Sequence, residues 1–296
     1  MSSPKGIFWL TSYPKSGNTW FRIVLSRLLN KSDSLSYIND INTILDSPMV
    51  ANRGWMNKIL GFDSRLLDEN ELYKLRPAAY TWYAQQLKQT TYIKIHDAYT
   101  LVEKNTPLIP AEGCLGAVYF IRNPLDVAVS LAHHAQCPID WSIHMMGNKD
   151  FAVPLKENQD KQIRQQLLSW SMHVQSWVSD LPIKVLVLRY EDMFFKPLET
   201  FSKAMAFLNL DRSEIELQKA IDDASFGTLQ AYEQRFGFKE KPAIKGQFFR
   251  KGIVGDWQNT LNESQIHRIT HDHADMMRTY GYLDNADCPI VFHRKE

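Results

Sequence analysis

The chain has 296 residues, of which 44% are hydrophobic, and a formal net charge of +1. This length can bury a large core, and no linker, repeat or low-complexity tract divides it, which favours one domain over residues 1–296. The balanced charge excludes an overall positive field that would attract nucleic acid. No continuous apolar run reaches the length of about 18 residues that a membrane-spanning helix needs.

The three cysteines are odd in number and widely spaced, at Cys114, Cys137 and Cys288. They match neither a disulfide framework nor a metal-binding pattern, so we expect a reducing, cytoplasmic location. The apolar stretch near the N-terminus is short and runs directly into a turn, which is not typical of a signal peptide.

The first structured stretch covers residues 7–29. Residues 7–10 are a short apolar run typical of a buried strand, a turn follows, and residues 19–29 show helical spacing. Strand, turn and helix together form an anion cradle, because backbone N–H groups and the helix dipole point into the turn, where Lys15 adds a positive charge. Lys15 precedes Gly17, and the G-x-x-x-x-G-K-[ST] order is absent, so we do not expect an NTPase loop.

Elements of both types alternate along the rest of the chain. Predicted strands cover residues 7–10, 91–96, 116–122 and 184–189. Predicted helices cover residues 19–29, 81–89, 161–179, 194–208, 213–224 and 262–280, and a further helix begins at Pro124. Asn123 is the expected N-cap of that further helix, and Asp126 completes a pattern like a capping box. Residues 30–75, 135–160 and 227–258 are expected to be irregular. The alternation predicts an α/β fold, with a central parallel sheet, helices on both faces, and ligands at the carboxyl ends of the strands.

Charged side chains follow the predicted strands and recur near the end of the chain. They are Lys15, Lys94 with His96, Arg122 before a helix carrying Ser130, and Arg250 with Lys251 and Gly252. Several cations converging on a helix terminus predict a multiply phosphorylated nucleotide, since arginine suits bidentate phosphate contact. Trp20, Tyr190 and Phe226 lie near these clusters in sequence and are candidates to hold the base.

Four motifs make the chain resemble the soluble, PAPS-dependent sulfotransferase family. The family's YPKSG-[TN]-TW loop matches residues 13–20, with Asn18 where threonine is usual. RNP-x-D-x-x-x-S matches residues 122–130, YEDM matches residues 190–193, and RKG-x-x-GDW matches residues 250–257. The motifs occur in the family's order across most of the chain.

The resemblance implies a sulfotransferase domain whose P-loop-like, phosphosulfate-binding loop follows the first strand. Such an enzyme moves the sulfo group of PAPS to a hydroxyl or amine of a small molecule, leaving PAP. The transfer is in line and needs positioning and charge neutralisation, so no metal is implied. His96 would be the general base, a role that suits an imidazole, and Lys15 and Lys94 would assist catalysis.

The resemblance also assigns residues to the donor. The sulfate-side loop would comprise Lys15, Ser16, Gly17, Asn18, Thr19 and Trp20. The 3′-phosphate ligands would be Arg122, Ser130, Arg250, Lys251 and Gly252. The adenine contacts would be Trp20, Tyr190, Ser225 and Phe226.

The acceptor is indicated by one departure from the family. Members that use phenols and sterols usually carry H-L-P after the base, whereas this chain has His96-Asp97-Ala98. A carboxylate beside the base favours a polar or cationic acceptor such as a natural product, and residues 40–71 carry six acids against three bases. We therefore take Asp97 as a candidate substrate-binding residue; the alternative is that its side chain turns outward.

Two rival functions are compatible with an anion-binding α/β fold. A P-loop phosphotransferase would need ATP and Mg²⁺, and the loop order argues against it. A nucleotide-binding homologue without catalysis would lack a base, and Lys94 and His96 argue against that. No nucleic-acid or membrane partner is expected. The family's dimer segment after GDW is not reproduced at residues 258–261, which leaves monomer and homodimer open.

Overall fold

The computed structural model describes residues 4–30, 34–154, 160–241 and 246–292. The chain folds as two compact units. The first comprises Met1–Tyr13, Asp46–Phe120 and Asn148–Val187, and the second comprises Pro14–Leu45, Ile121–Gly147 and Leu188–Glu296. The single-domain organisation expected from the sequence stays a prediction.

The central sheet has four strands, numbered along the chain. They are β1 (Gly6–Ser12), β2 (Thr90–Ile95), β3 (Cys114–Ile121) and β4 (Val185–Arg189), in the order β2–β1–β3–β4. β1 is buried throughout and pairs in parallel with both β2 and β3. Each strand lies within two residues of its predicted bounds, and the predicted α/β fold with a central parallel sheet is confirmed. Short antiparallel pairs join Leu101–Glu103 to Thr106–Pro107 and Ala152–Val153 to Gln165–Gln166.

The α-helices of the described residues are also numbered along the chain. They are α1 (Asn18–Leu29), α2 (Ile41–Ile44), α3 (Arg53–Leu60), α4 (Glu69–Gln86), α5 (Pro124–Ala135), α6 (Ile139–Gly147), α7 (Trp170–Val178), α8 (Tyr190–Phe195), α9 (Pro197–Phe207), α10 (Glu214–Asp223), α11 (Phe226–Phe236) and α12 (Glu263–Thr279). Single 3-10 turns cover Leu35–Ile38, Ser64–Leu66 and Asp256–Asn259.

Three helices of the first unit, α3, α4 and α7, differ from the prediction, and α3 lies wholly inside the segment expected to be irregular. α4 begins inside the segment expected to be irregular, because Asp68 and Glu71 form a capping box that starts it. The helix predicted over residues 161–179 is restricted to α7, because the Ser169 side chain caps its N-terminus. Ile163 and Leu167 are buried as expected, but they lie in the non-helical segment before α7.

The second unit contains helices where loops were expected. α6 occupies part of the segment 135–160, and α11 occupies part of the segment 227–258. Ser225 explains the second error, since its side chain accepts from the Thr228 N–H and caps α11. The predicted helix over residues 194–208 is two helices, because the non-helical backbone at Lys196 precedes Pro197 at the start of α9.

Candidate active site

The turn after β1 has a backbone built for close approach. Lys15 has φ 72° and Gly17 has φ 99°, both in the left-handed region. A Cβ on Gly17 would lie 2.7 Å from the ring of Tyr190, so only glycine fits there. Gly17 caps α1 without a side-chain hydrogen bond, and the buried Ser16 hydroxyl has no hydrogen-bond partner among the described residues. The first turn of α1 and Ser16 therefore offer N–H and O–H groups to an anion.

The Lys15 ammonium is held by two side chains that the sequence reasoning missed. Its Nζ lies 3.4 Å from Nδ1 of His134 and 4.8 Å from the ring centre of Phe248. His134 follows Ser130 by one turn of α5, so the helical spacing could have placed both on one face. Phe248 belongs to a segment expected to be irregular, and no motif pointed to it.

Arg122 links the turn to a later loop. Its guanidinium donates to the backbone oxygens of Lys15 at 3.1 Å and Ile253 at 3.0 Å, and it lies 4.2 Å from the ring centre of Tyr190. Its Nε has no hydrogen-bond partner among the described residues. Arg122 thus organises the second unit's cluster, and its contact with a 3′-phosphate stays a prediction.

Two carboxylates organise the loop that carries Arg250 and Lys251. Both cations donate to Asp256, Arg250 at 2.7 Å and Lys251 at 2.5 Å. Burial acts to raise the pKa of Asp256, but these hydrogen bonds outweigh it and hold that pKa below its usual range. Asp126 does not complete a capping box, which corrects the prediction: its carboxylate accepts from the N–H groups of Gly255 and Trp257.

The predicted adenine contacts lie in two neighbouring groups of the second unit. Trp20 donates from Nε1 to the Ala224 oxygen at 3.0 Å and packs edge-on against Tyr190. Phe226 packs against Gly252, where a Cβ would lie 2.0 Å from the ring. Ser225 caps α11, and Ser130 lies partly exposed on α5.

The candidate base follows β2 in the first unit. Nδ1 of His96 lies 2.8 Å from the Ser12 backbone oxygen, and the His96 N–H donates to Oε1 of Gln165 at 3.0 Å. A carbonyl oxygen can only accept, so Nδ1 carries a proton, and in the neutral form of the ring the lone pair is on Nε2. The tautomer of His96 with its proton on Nδ1 is the one that a base acting through Nε2 requires. Lys94 precedes His96 by two residues at the end of β2 and is opposite Leu10 in the sheet.

Asp97 does not have the role predicted for it. The residue is fully buried, its two carboxylate oxygens accept from Arg76 at 3.0 and 2.5 Å, and Oδ1 also accepts from the Gln166 N–H. Burial disfavours the charged guanidinium of Arg76, but Asp97 outweighs that effect and raises its pKa. Asp97 is therefore structural and neither binds an acceptor nor turns outward, because its hydrogen-bonding capacity is used within the core.

Replacement of Asp97 with alanine is expected to lower the free energy of unfolding by about 3–5 kcal/mol, because Arg76 would keep a buried charge without its partner. Urea titration at neutral pH measures the change. Glu199→Ala removes one partner of the exposed Glu199–Lys203 pair and is the matched control, with a much smaller expected effect. Equal losses in the two variants would contradict the assignment of Asp97 to the core.

Comparison with known proteins identifies the family. The sulfotransferase domain family matches residues 6–281, which is most of the chain. The chain belongs to the sulfotransferase family. This sulfotransferase is 27% identical over 267 residues to dog sulfotransferase 1B1, covering 86% of this chain and 78% of that protein. It is 25% identical over 307 residues to cytosolic sulfotransferase 17 of Arabidopsis thaliana, covering 94% of this chain and 76% of that protein.

Solved structures show the same fold. A retinol dehydratase in complex with retinol and PAP matches this sulfotransferase with a TM-score of 0.61 at 20% sequence identity. The match covers 92% of this chain and 81% of that one. In the described part of this sulfotransferase, no helix combines the length and apolar character that crossing a bilayer requires.

Proposed function

We propose that this sulfotransferase moves the sulfo group of PAPS to a hydroxyl or amine of a small molecule, with His96 as general base. The buried Ser16 hydroxyl carries the proposal, because it is a polar group without a partner in a turn that presents N–H groups to an anion. Two further observations support a PAPS site. Arg122 Nε has no hydrogen-bond partner among the described residues, and a Cβ at Gly17 or Gly252 would overlap an aromatic ring.

PAPS supplies the sulfo group and a phosphate leaving group. Lys15 neutralises the charge that develops on the leaving oxygen, and the N–H groups of α1 bind the same phosphate. His96 takes the proton of the acceptor at Nε2, since Nδ1 donates to Ser12. Lys94 stabilises the transferring group, and Arg122, Ser130, Arg250, Lys251 and Gly252 hold the 3′-phosphate.

The acceptor is a small molecule. A cationic acceptor is no longer supported by Asp97, because its carboxylate is used by Arg76. Phe248 and His134 are among the side chains that contact the Lys15 ammonium, so the surroundings of that group are partly aromatic. We infer that an alcohol or phenol with an apolar body is a better candidate than a polyamine. The cytoplasm is the proposed location, as for the relative named cytosolic.

The direct test measures PAP binding by calorimetry and transfer from ³⁵S-labelled PAPS to a panel of apolar alcohols, phenols and polar amines. PAP binding without metal, and labelled product from at least one acceptor, are expected. Failure to bind PAP, or phosphate transfer from ATP with Mg²⁺, would overturn the proposal in favour of the phosphotransferase alternative. PAP binding with no transfer to any acceptor would instead favour a non-catalytic homologue.

Gly252 provides a quantitative test of the donor site. Gly252→Ala is expected to weaken PAP binding by roughly tenfold or more, because φ is 61° and the new methyl would overlap Phe226. Calorimetric titration with PAP measures the effect. Gly227→Ala is the control in α11, since its methyl would meet no atom within 4 Å, and its PAP affinity should equal that of the wild type. Equal affinities of the two variants would exclude the Phe226–Gly252 contact from the donor site.

A further inference from the structure

A second histidine lies behind the candidate base. His173 is on α7, fully buried, and both of its ring nitrogens make hydrogen bonds. Nδ1 lies 2.9 Å from the Tyr119 hydroxyl, and Nε2 lies 3.0 Å from the backbone oxygen of His96. Because that carbonyl can only accept, Nε2 carries the proton and Nδ1 accepts from Tyr119.

Burial keeps this ring neutral. It lowers the pKa of His173 to about 4, so the imidazole is uncharged at neutral pH. A neutral imidazole has one donor and one acceptor, and these two contacts use both. The tautomer is therefore set by its neighbours: the Tyr119 hydroxyl supplies the donor on one side, and the His96 carbonyl supplies the acceptor on the other.

Other contacts hold the backbone of His96 and Asp97. The Gln165 side chain accepts from the His96 N–H, and the Trp177 indole donates to the backbone oxygen of Asp97 at 3.0 Å. The Arg76–Asp97 ion pair fixes the next side chain. The backbone N–H and oxygen of His96 and the backbone oxygen of Asp97 thus bind buried side chains from α7 and the Gln165–Gln166 strand. Among these contacts, that of His173 is made to the carbonyl of the base residue itself.

We propose that His173 is a positioning residue for catalysis: its Nε2–H holds the His96 carbonyl, and the Tyr119 hydroxyl fixes the tautomer that allows this. The inference rests on the proposed role of His96 as base. A general base works only when its acceptor nitrogen is within hydrogen-bond reach of the acceptor proton, and a displacement of about 1 Å can cost roughly 100-fold in rate. The His173 contact limits such displacement through the backbone.

Two amide substitutions distinguish the contributions of the two ring nitrogens of His173. In His173→Gln the side-chain amide reaches the position of Nε2 and can still donate to His96. In His173→Asn the shorter amide lies near the position of Nδ1 and cannot reach that carbonyl. We expect His173→Asn to lower kcat by roughly 30- to 100-fold, and His173→Gln to stay within severalfold of the wild type. The KM for PAPS and the affinity for PAP should be unchanged in both variants, because neither His173 nor the residues it contacts are among the proposed PAPS ligands.

Equal kcat values for the Gln and Asn variants would overturn the proposal, because a role in packing alone does not distinguish them. If His173→Asn does not fold, Tyr119→Phe decides the question: a severalfold loss of kcat with unchanged PAP affinity supports the proposal, and wild-type kcat overturns it. His96→Ala is measured in parallel. Wild-type turnover there would remove the base and the positioning role together, whereas an inactive His96→Ala beside a fully active His173→Asn would remove only the positioning role.

Discussion

Replacement of His96 with alanine is expected to lower kcat for sulfo transfer by roughly 100- to 10,000-fold, the range that one general base contributes. The structural reason is the tautomer: Nδ1 donates to the Ser12 oxygen, which places the lone pair of the ring on Nε2. Alanine leaves the acceptor proton without a base in the site. Initial rates with ³⁵S-labelled PAPS at saturating donor and acceptor measure the loss.

PAP affinity should not change in His96→Ala, because His96 is not one of the proposed phosphate ligands and PAP lacks the sulfo group whose acceptor it would deprotonate. The exposed His144 on α6 gives the matched control, and His144→Ala should retain wild-type turnover. Turnover of His96→Ala within twofold of the wild type would exclude His96 as the base and direct attention to another proton acceptor.

Replacement of Lys15 with alanine is expected to affect both rate and donor binding. The loss in kcat should be roughly 100- to 1,000-fold, comparable to removing one charged or hydrogen-bonding group from a transition state. PAP affinity should fall by roughly tenfold or more, because a charge-assisted hydrogen bond to phosphate is lost. Rapid-quench kinetics and calorimetric titration with PAP measure the two effects separately.

Lys15→Gly separates the charge from the backbone. Glycine accepts the left-handed φ of 72° without strain, so the variant should be as stable as the wild type but as inactive as Lys15→Ala. Lys203→Ala removes an exposed cation from α9 and is the control for a general charge effect. Wild-type kinetics in both Lys15 variants would contradict the assignment of this turn to the leaving phosphate.

The sequence predicted the sheet better than the helices. Strands such as β1 and β3 are short apolar runs buried in the sheet, and such runs are distinctive in composition. α6 and α11 were missed because their apolar residues are interleaved with polar ones. The helix predicted over residues 161–179 was too long because the buried Ile163 and Leu167 happened to continue the helical spacing of α7.

The candidate site divides in the same way. The donor motifs could be found in the sequence because phosphate contact needs lysine, arginine and glycine at fixed spacings within local turns. Asp97 was misassigned because its partner, Arg76, lies 21 positions earlier, and no local sequence pattern predicts that ion pair. His134, Phe248 and His173 were missed for the same reason, since each acquires its role through a residue distant in sequence.

By itself, the sequence of this sulfotransferase determined the parallel sheet, the anion-binding turn at Lys15 and the identity of the candidate base. Only the tertiary structure decided which polar side chains form hydrogen bonds and ion pairs with one another in the core. It placed Asp97 against Arg76 and His173 between Tyr119 and His96. The physical reason is that propensity, spacing and charge are local properties of the chain, whereas burial and hydrogen-bond pairing depend on contacts that exist only after the chain has folded.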